Sequence, residues 1–333
     1  MASEMVSLCV IVPAFDEEAT IGDIVSRCLE VPVPGISERQ VIVIDDGSHD
    51  RTADLAQATG ARVIRHESNR GVGAAFQTGL RAALESGADM IVNIDGDGQF
   101  EPERIPDLIA PILERRADFT TASRFKDPKL VPEMPRVKRW GNRLMSRLIS
   151  RVARQRFWDV SCGFRAYSRE AALKLNLWGG FTYTQESILD LVVKGMRLQE
   201  VPMAVRGVRE HGESRVAASV WRYAFRATRI IFNSYRDYWP MSLFGWLSVL
   251  GLVPGSALVG FLLVHRFTAG AFSPHIWAGF TGGALLGMGF LVLTTGLVAQ
   301  MLQRIRLNQE EILYFHRSAR SDRAAADVDA RHP

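Results

Sequence analysis

Residues Met90 to Pro102 read MIVNIDGDGQFEP, a short apolar run that ends in two aspartates one residue apart. An apolar run of this length is typical of a buried strand, and Asp95, Asp97 and Gln99 follow it. Carboxylate oxygens suit a hard divalent cation such as Mg²⁺ or Mn²⁺, which commonly shares its remaining ligand positions with substrate phosphates. Gly96 lets the backbone approach a bound molecule closely. The stretch therefore indicates a site for a nucleotide diphosphate.

Two plainer interpretations of this stretch compete with a diphosphate site. A polar turn without a ligand stays open on these residues alone. A calcium loop of the EF-hand type is excluded, because that pattern requires Gly at its sixth position and Glu at its twelfth. Counted from Asp95, those positions hold Phe100 and Pro106.

The amino-terminal half contains two further apolar runs of strand length, Leu8 to Val12 and Val41 to Ile44, separated by segments with helical spacing. Strands that alternate with helices predict an α/β fold with a doubly wound, mostly parallel sheet. Each run ends in acidic or turn residues, and ligands of such sheets bind beyond the carboxyl ends of the strands. We therefore expect these residues to converge on one site.

The motifs together resemble one family, the family-2 glycosyltransferases of the GT-A fold, and within it the dolichol-phosphate mannose synthases and bacterial polyprenyl-phosphate glycosyltransferases. The resemblance covers roughly residues 6 to 216 and rests on motifs in family order: VIVPAFDEE, VIVIDDGSHD, NRGVGAAFQTG, NIDGDGQFEP, ASRF, DVSCGFRAYS, FTYTQE and EVPMAV followed by HGESR. It implies transfer of a sugar from a nucleotide-diphosphate sugar, with Mg²⁺ or Mn²⁺, to a polyprenyl phosphate.

The resemblance also implies roles for individual residues. It assigns the nucleoside to Pro13, Phe15, Glu17, Ile44 and Asp46, and the metal and diphosphate to Asp95, Asp97 and Gln99, with Gly96 between them. It places positive charge around the phosphates at Arg124, Arg209 and Arg215, and an acceptor phosphate near Lys138 and Asn142. Asp97, Glu186 and Arg124 are the residues we expect to be catalytic.

The chain departs from the family pattern at two positions. Phe15 stands where the family usually has Tyr, so a hydroxyl contact is absent while stacking on the base remains available. Thr182 occupies the position at which archaeal mannose-phosphate synthases carry Lys near the sugar. The identity of the donor sugar therefore stays open.

The remaining third of the chain predicts membrane attachment. Met241 to Val264 is a run of 24 residues without charge, and Ile276 to Met301 is a run of 26 with one strongly polar residue, Gln300. Either is long enough to span a hydrocarbon core of roughly 30 Å. We therefore divide the chain into a catalytic domain (1–216), a basic amphipathic helix (217–240), a transmembrane hairpin (241–302) and a tail (303–333), expected to be disordered from about Ser318.

The charged residues that flank the two spans predict their orientation. Arginines are frequent before the first span and after the second, whereas the loop from His265 to His275 carries only Arg266. We expect a multi-pass protein of the cell (inner) membrane with the catalytic domain and both termini in the cytoplasm. The aromatic residues and arginines of 217–240 suit an anionic bilayer surface; the alternative is a helix packed on the protein's own core.

Composition is consistent with this assignment. The net charge of +4 is explained by lipid headgroups and phosphates, and no nucleic-acid module is present. Three cysteines without metal or redox spacing predict packed thiols rather than disulfides. His49, His66 and His211 show no ligand spacing and are expected in loops or at the surface. Gly71 and Gly73 form part of an incomplete dinucleotide fingerprint, so a helix start is expected there instead.

Two acceptor chemistries follow from these residues. A polyprenyl phosphate is already an anionic nucleophile at neutral pH and needs no strong general base. An alcohol acceptor, on a lipid or a glycan, would need a carboxylate to take its proton, and Glu186 is the best candidate. The motifs favour the phosphate, with attack opposite the leaving group and inversion at the sugar.

Overall fold

The computed structural model describes residues 6–132, 134, 136–177, 183–205, 232, 236 and 238–329, with backbone alone for 136–138 and 324–329. The chain divides into two compact units. One comprises Met1–Arg229 together with Ile312–Pro333, and the other comprises Ile230–Glu311.

Seven strands of the first unit form one sheet, in the order β3-β2-β1-β4-β6-β5-β7. Pairing is parallel throughout except at β6, which runs antiparallel to both β4 and β5. The expected doubly wound, mostly parallel sheet is confirmed. The strands are β1 (Val6–Ala14), β2 (Ile36–Asp45), β3 (Arg62–Arg65), β4 (Met90–Asn93), β5 (Phe119–Ser123), β6 (Arg165–Ser168) and β7 (Leu198–Pro202).

In the described amino-terminal part of the same unit, seven α-helices flank and connect these strands. They are α1 (Ile21–Glu30), α2 (Thr52–Ala58), α3 (Val72–Glu85), α4 (Ile105–Leu113), α5 (Arg136–Ala153), α6 (Arg169–Lys174) and α7 (Tyr183–Val193). Gly71 precedes α3 with φ +89°, a backbone conformation that favours glycine. The helix start expected at this glycine is therefore confirmed.

The core lies on both faces of the central strands, as continuous apolar runs require. Leu8 to Val12 of β1 are almost completely buried. Helix α3 lies very close to the sheet at Gly79, where an added Cβ would come within 2.6 Å of Ile44 Cδ1 and 3.2 Å of Ile11 Cβ. This glycine therefore sets the distance between α3 and the sheet. The three cysteines are free and buried, as expected.

The second unit contains two long apolar helices, α8 (Pro240–Ala269) and most of α9 (Ile276–Asp329). Both have the length and hydropathy needed to cross a membrane. Glycines bring them into contact: an added Cβ on Gly251 would lie 3.0 Å from Gly289 Cα, and one on Gly255 would lie 2.9 Å from the Gly282 carbonyl. Small residues commonly permit such close helix packing in membranes.

The end of α9 corrects one expectation. Disorder was expected from about Ser318, whereas α9 continues to Asp329. Ser321 is buried and donates to the carbonyl of Leu84, while Arg317 donates to the carbonyls of Leu173 and Leu175 at the end of α6. A cation at a helix carboxyl terminus is favourable. The amino-acid composition of this segment could not reveal these hydrogen-bond partners, because they lie far away in the sequence.

The close approach at Gly79 gives a test of the packing. Gly79→Val inserts three carbons where Ile44 and Ile11 are fully buried, and overpacking of this kind costs about 3 kcal/mol of unfolding free energy. Gly141→Val is the matched control, because among the described residues no atom outside the neighbouring turns of its own helix lies within 4 Å of an added Cβ there. Thermal unfolding in detergent should show a clearly lower melting temperature for Gly79→Val and no decrease for Gly141→Val. Equal melting temperatures for both variants would contradict this packing.

Candidate active site

The loops that follow β1, β2 and β4 meet at one edge of the sheet. Asp46 N–H donates to the carbonyl of Ala14 at 2.9 Å, and Gly96 N–H donates to the carbonyl of Pro13 at 3.3 Å. Thr20 Oγ1 donates to the carbonyl of Gly96 at 2.6 Å. The predicted convergence of these segments is therefore present, with β1 between the other two strands.

The loop after β1 carries the first residues assigned to the nucleoside, and the loop after β2 holds it in place. Asp16 adopts φ +52°, its N–H donates to Ser48 Oγ at 2.9 Å, and its Oδ1 accepts from His49 N–H at 2.9 Å. Glu17 N–H donates to Thr52 Oγ1 at 2.9 Å. Phe15 is half-buried, with its ring edge-to-face with that of His49 at 6.0 Å.

Asp46 is buried, and its carboxylate organises the start of α3. Oδ1 accepts from Arg70 N–H at 3.0 Å, Oδ2 accepts from Gly71 N–H at 2.8 Å, and His66 Nδ1 lies 2.7 Å from Oδ1. The other ring nitrogen of His66 lies 3.0 Å from Thr78 Oγ1. His66 was expected in a loop or at the surface: it lies in the loop that follows β3, but it is buried there because it joins Asp46 to α3.

Ile44 occupies a different position from the other residues assigned to the nucleoside. Its side chain is fully buried and packs against α3 at Gly79. A direct side-chain contact with a nucleoside is therefore not supported. Ile44 instead supports the loop that begins two residues later, at Asp46, because it fixes α3 on the sheet.

Asp95 and Asp97 follow β4, as the sequence predicted. Asp97 is 4% exposed and its Oδ1 accepts from the N–H of Gln99 at 3.1 Å. Asp95 is half-buried and lies against Gly163, where an added Cβ would come within 2.9 Å of Asp95 Oδ1. Gly163 therefore leaves the room that this carboxylate needs.

The side chains of Asp95, Asp97 and Gln99 offer oxygen ligands, which suit a hard cation. Within the described ranges, no cluster of three or more His, Cys, Asp or Glu side chains could hold a metal by itself. Two carboxylates suit an ion that completes its shell with phosphate oxygens and water, as Mg²⁺ commonly does. Asp95, Asp97 and the amide oxygen of Gln99 thus fit Mg²⁺ or Mn²⁺ in chemical character.

The first turn of α7 lies beside Asp95. Asn93 Nδ2 donates to the carbonyl of Gly163 at 2.8 Å and to Tyr183 Oη at 2.9 Å. Burial raises the pKa of Tyr183, and the negative charge of Asp95 raises it further. Glu186 lies in the same turn and is half-buried. The structure therefore brings the first turn of the helix that carries the candidate base close to Asp95.

Arg165 joins α7 to the segment before β6. Its guanidinium is fully buried and donates to the carbonyls of Cys162 at 2.7 Å, Thr184 at 2.7 Å and Val160 at 3.3 Å. It also donates to Ser187 Oγ at 2.5 Å. Each partner is neutral, so hydrogen bonds from two separate segments replace the water around this cation.

Arg124, which follows β5, lies against a buried carboxylate. Its Nε and Nη2 donate to Asp159 Oδ2 and Oδ1 at 2.6 and 2.9 Å, and Nη2 also donates to Ser161 Oγ at 3.2 Å. Burial alone would raise the pKa of Asp159, but the charge and hydrogen bonds of Arg124 hold that pKa below its usual value. Asp159 thus compensates much of the positive charge expected at Arg124. Neither Asp159 nor Ser161 was singled out from sequence.

The predicted acceptor residue Asn142, on α5, joins this group. Its Oδ1 accepts from Ser161 Oγ at 3.2 Å. Several other expected residues lie outside the described structure: Arg209, Arg215, Thr182 and His211, the side chain of Lys138, and most of the helix expected over 217–240. Their roles remain predictions.

The sequence that carries this site matches a known family. The model of glycosyl transferase family 2 matches residues 9–175, which include most of β1, Asp46, the carboxylate pair and Asp159. The chain belongs to this family.

Two relatives of this chain act on polyprenyl phosphates according to their names. The dolichyl-phosphate N-acetylglucosaminyltransferase of Methanococcus voltae, which uses UDP-N-acetylglucosamine, is 32% identical over 51% of this chain and 72% of its own. The dodecaprenyl-phosphate galacturonate synthase of Rhizobium johnstonii is 26% identical over 90% of this chain and 89% of its own. The second relative therefore also matches over the apolar carboxyl-terminal part.

A solved structure supports the GT-A fold. Glucosyl-3-phosphoglycerate synthase from Mycobacterium tuberculosis, in complex with Mn²⁺, UDP and glucosyl-3-phosphoglycerate, superposes with a TM-score of 0.53 and 22% identity. The match covers 68% of this chain and 79% of that one. At this identity the likeness establishes the architecture of the family-2 enzyme described here, with its mostly parallel sheet.

The contact between Gly163 and Asp95 generates a test of the carboxylate pair. Gly163→Ala forces the Asp95 carboxylate to move, and a displacement of about 1 Å in a catalytic site can cost roughly 10²-fold in rate. We expect such a loss in kcat/KM together with a higher Mn²⁺ requirement. Gly22→Ala is the control, since an added Cβ there meets Thr59 Oγ1 at an ordinary 3.6 Å. Unchanged metal titration and rate in Gly163→Ala would contradict this role for Asp95.

Proposed function

We propose that this family-2 enzyme transfers a sugar from a GDP- or UDP-linked donor to a polyprenyl phosphate, with inversion, at the cytoplasmic face of a membrane. The observation that carries the proposal is the placement of two groups on one sheet edge. The carboxylate pair follows β4, and the Arg124 and Asn142 group lies at the same edge, where β5 ends and the antiparallel β6 begins. One group suits a metal-bound diphosphate and the other suits a second phosphate.

The donor side is supported by the loops after β1 and β2. Pro13 and Asp46 are held in place by backbone hydrogen bonds, and the half-buried ring of Phe15 is available for stacking on a base. Asp95, Asp97 and Gln99 would hold the divalent ion. When bound, that ion neutralises negative charge that grows on the leaving diphosphate.

The acceptor side favours an anionic nucleophile. Arg124 offers the part of its positive charge that Asp159 does not compensate, and the carboxamide of Asn142 lies next to it through Ser161. A phosphate monoester oxygen carries its own negative charge at neutral pH, so the protein needs to orient it rather than to remove a proton. The polyprenyl-phosphate substrates named for the relatives from Methanococcus voltae and Rhizobium johnstonii support the same acceptor class.

Membrane attachment agrees with a lipid acceptor. Helices α8 and α9 have suitable length and hydropathy, and the arginines that flank them predict a cytoplasmic catalytic domain. On the first unit, α5 exposes Trp140 by 65% and Leu144 by 40% beside an exposed arginine row: Arg139, Arg143, Arg147 and Arg151. An apolar stripe beside such a row suits an anionic bilayer surface. We therefore place this face of α5 at the membrane.

The decisive experiment compares acceptors while one carboxylate is removed. Purified protein with Mn²⁺ and radiolabelled UDP- and GDP-sugars should form product on undecaprenyl phosphate, and none on undecaprenol or diacylglycerol. Glu186→Gln keeps the size of the side chain but deletes its basicity, and a general base is typically worth about 10² to 10⁴ in rate. On the phosphate acceptor, we expect any loss in Glu186→Gln to stay constant as pH is raised.

The alternative function makes the opposite prediction. If the acceptor is a lipid or glycan hydroxyl, product should form on the alcohols. The wild-type rate should then rise with pH, and Glu186→Gln should abolish it. That result would replace the polyprenyl-phosphate proposal with general-base catalysis at Glu186.

The membrane face of α5 can be probed with a single label. Burial raises the pKa of Cys28 and Cys162 to about 12 and that of Cys9 still further, so these thiols should react slowly near neutral pH. A spin label on Trp140→Cys, in anionic lipid nanodiscs, should be accessible to oxygen and shielded from a polar nickel reagent. Glu38→Cys, at an exposed strand position, is the control. Equal accessibility at both positions would show that α5 faces water.

A further inference from the structure

A hydrogen-bonded chain connects the two groups assigned to the acceptor phosphate, and this inference rests on the proposed function. We propose that Asp159 and Ser161 are positioning residues, which orient the guanidinium of Arg124 and the carboxamide of Asn142 toward the same acceptor phosphate. Neither residue needs to touch the substrate. The proposal depends on the acceptor positions of Asp159 and on the direction of the Ser161 hydroxyl proton.

The carboxylate of Asp159 has no capacity left for a proton from the acceptor. Its Oδ2 accepts from Arg124 Nε at 2.6 Å and from Arg124 N–H at 3.2 Å. Its Oδ1 accepts from Arg124 Nη2 at 2.9 Å and from Ser161 N–H at 3.2 Å. These four bonds occupy the four lone-pair positions of a carboxylate. Asp159 therefore acts as a fixed anion that holds the guanidinium of Arg124 in place, and not as a general base.

The same count decides the direction of the hydroxyl of Ser161. Ser161 Oγ accepts from Arg124 Nη2 at 3.2 Å, so its own proton is available to donate. Asp159 Oδ1 lies 3.3 Å away but already accepts twice, whereas Asn142 Oδ1 lies at 3.2 Å. The hydroxyl proton therefore goes to Asn142.

This donation fixes the carboxamide of Asn142. An amide has one oxygen acceptor and two N–H donors, and its orientation follows from its hydrogen-bond network. With Oδ1 turned to Ser161, the NH₂ group with its two donors lies on the opposite edge of the planar carboxamide. A phosphate accepts such donors well. The carboxamide of Asn142 could otherwise present either its oxygen or its N–H groups. Because Ser161 holds the oxygen, the N–H donors are the groups presented beside Arg124.

The segment that carries Asp159 and Ser161 is itself held rigidly. Glu200 on β7 accepts from the N–H groups of Trp158 at 2.9 Å and Asp159 at 2.7 Å. On the opposite side, Ser146 of α5 donates to the carbonyl of Trp158 at 3.0 Å. This segment therefore connects α5, where Asn142 lies, to the sheet that carries Arg124. Movement of Arg124 relative to Asn142 is therefore restrained by the bonds to Glu200 on β7 and to Ser146 on α5.

The test removes one hydroxyl and then restores it. Ser161→Ala deletes the link to Asn142, and the loss of one such hydrogen bond should raise the KM for undecaprenyl phosphate about five- to tenfold. The KM for the donor should stay within twofold. Ser161→Thr keeps the hydroxyl and should restore most of the acceptor affinity. Ser26→Ala, an exposed serine that bonds Glu30 on α1, is the control for the substitution.

A second variant tests the carboxylate with a different readout. Asp159→Asn leaves the shape but removes the charge that holds Arg124, so kcat on the phosphate acceptor should fall by at least about fiftyfold. The shape of the pH profile should remain unchanged, because Asp159 stays ionised at neutral pH. Asp118→Asn is the matched control, since Asp118 makes a comparable two-point pair with Arg197 at an exposed position. Melting temperatures should distinguish a variant that misfolds from one that folds but misplaces Arg124.

The outcomes distinguish this inference from the proposed function. Calorimetric binding of geranylgeranyl phosphate provides a readout besides turnover, and Ser161→Ala should weaken it by the same factor as the KM. A wild-type protein that neither binds this probe nor uses undecaprenyl phosphate overturns both proposals. A wild-type protein that does both, with Ser161→Ala unchanged, overturns the positioning role alone. Loss of the acidic limb of the pH profile in Asp159→Asn would instead identify Asp159 as a base.

Discussion

The parallel pairing of β1 with both β2 and β4 is the constraint on which the rest of the structure depends. Parallel neighbours end at the same edge of a sheet, so the loops after these strands must meet. The backbone bonds from Asp46 to Ala14 and from Gly96 to Pro13 extend that pairing beyond the strands. Neither loop is positioned by its own sequence alone. Each depends on the pairing of its strand with the continuous apolar strand β1.

Beyond the sheet, the site is organised by charges placed in the interior. Asp46, Asp159 and Arg165 are all buried, and each is satisfied by several hydrogen bonds rather than by water. A buried charge is costly unless its partners are complete. Each of these residues therefore permits a single local arrangement. This explains why irregular loops can present functional groups with the precision usually associated with helices and strands.

The sequence predicted the parts of this structure that depend on local pattern. The apolar run from Leu8 to Val12 indicated a buried strand, and the residues after it indicated a shared edge. Partners that are distant in sequence were not accessible to the same reasoning. His66 bonds an aspartate 20 residues earlier, and Arg124 pairs with Asp159 across 35 residues. The end of α9 was misjudged for the same reason, since Ser321 bonds Leu84 across 237 residues.

The complete burial of Arg165 bears on how the catalytic domain folds. Its donors are satisfied by carbonyls on both sides of the site, from Val160 and Cys162 on one segment and from Thr184 on α7. While α7 is undocked, the guanidinium must keep its water, and the segment before β6 cannot close over it. Docking of α7 and dehydration of the cation are then a single cooperative event. We therefore expect that the active site is either assembled or open, with no stable half-formed state between them.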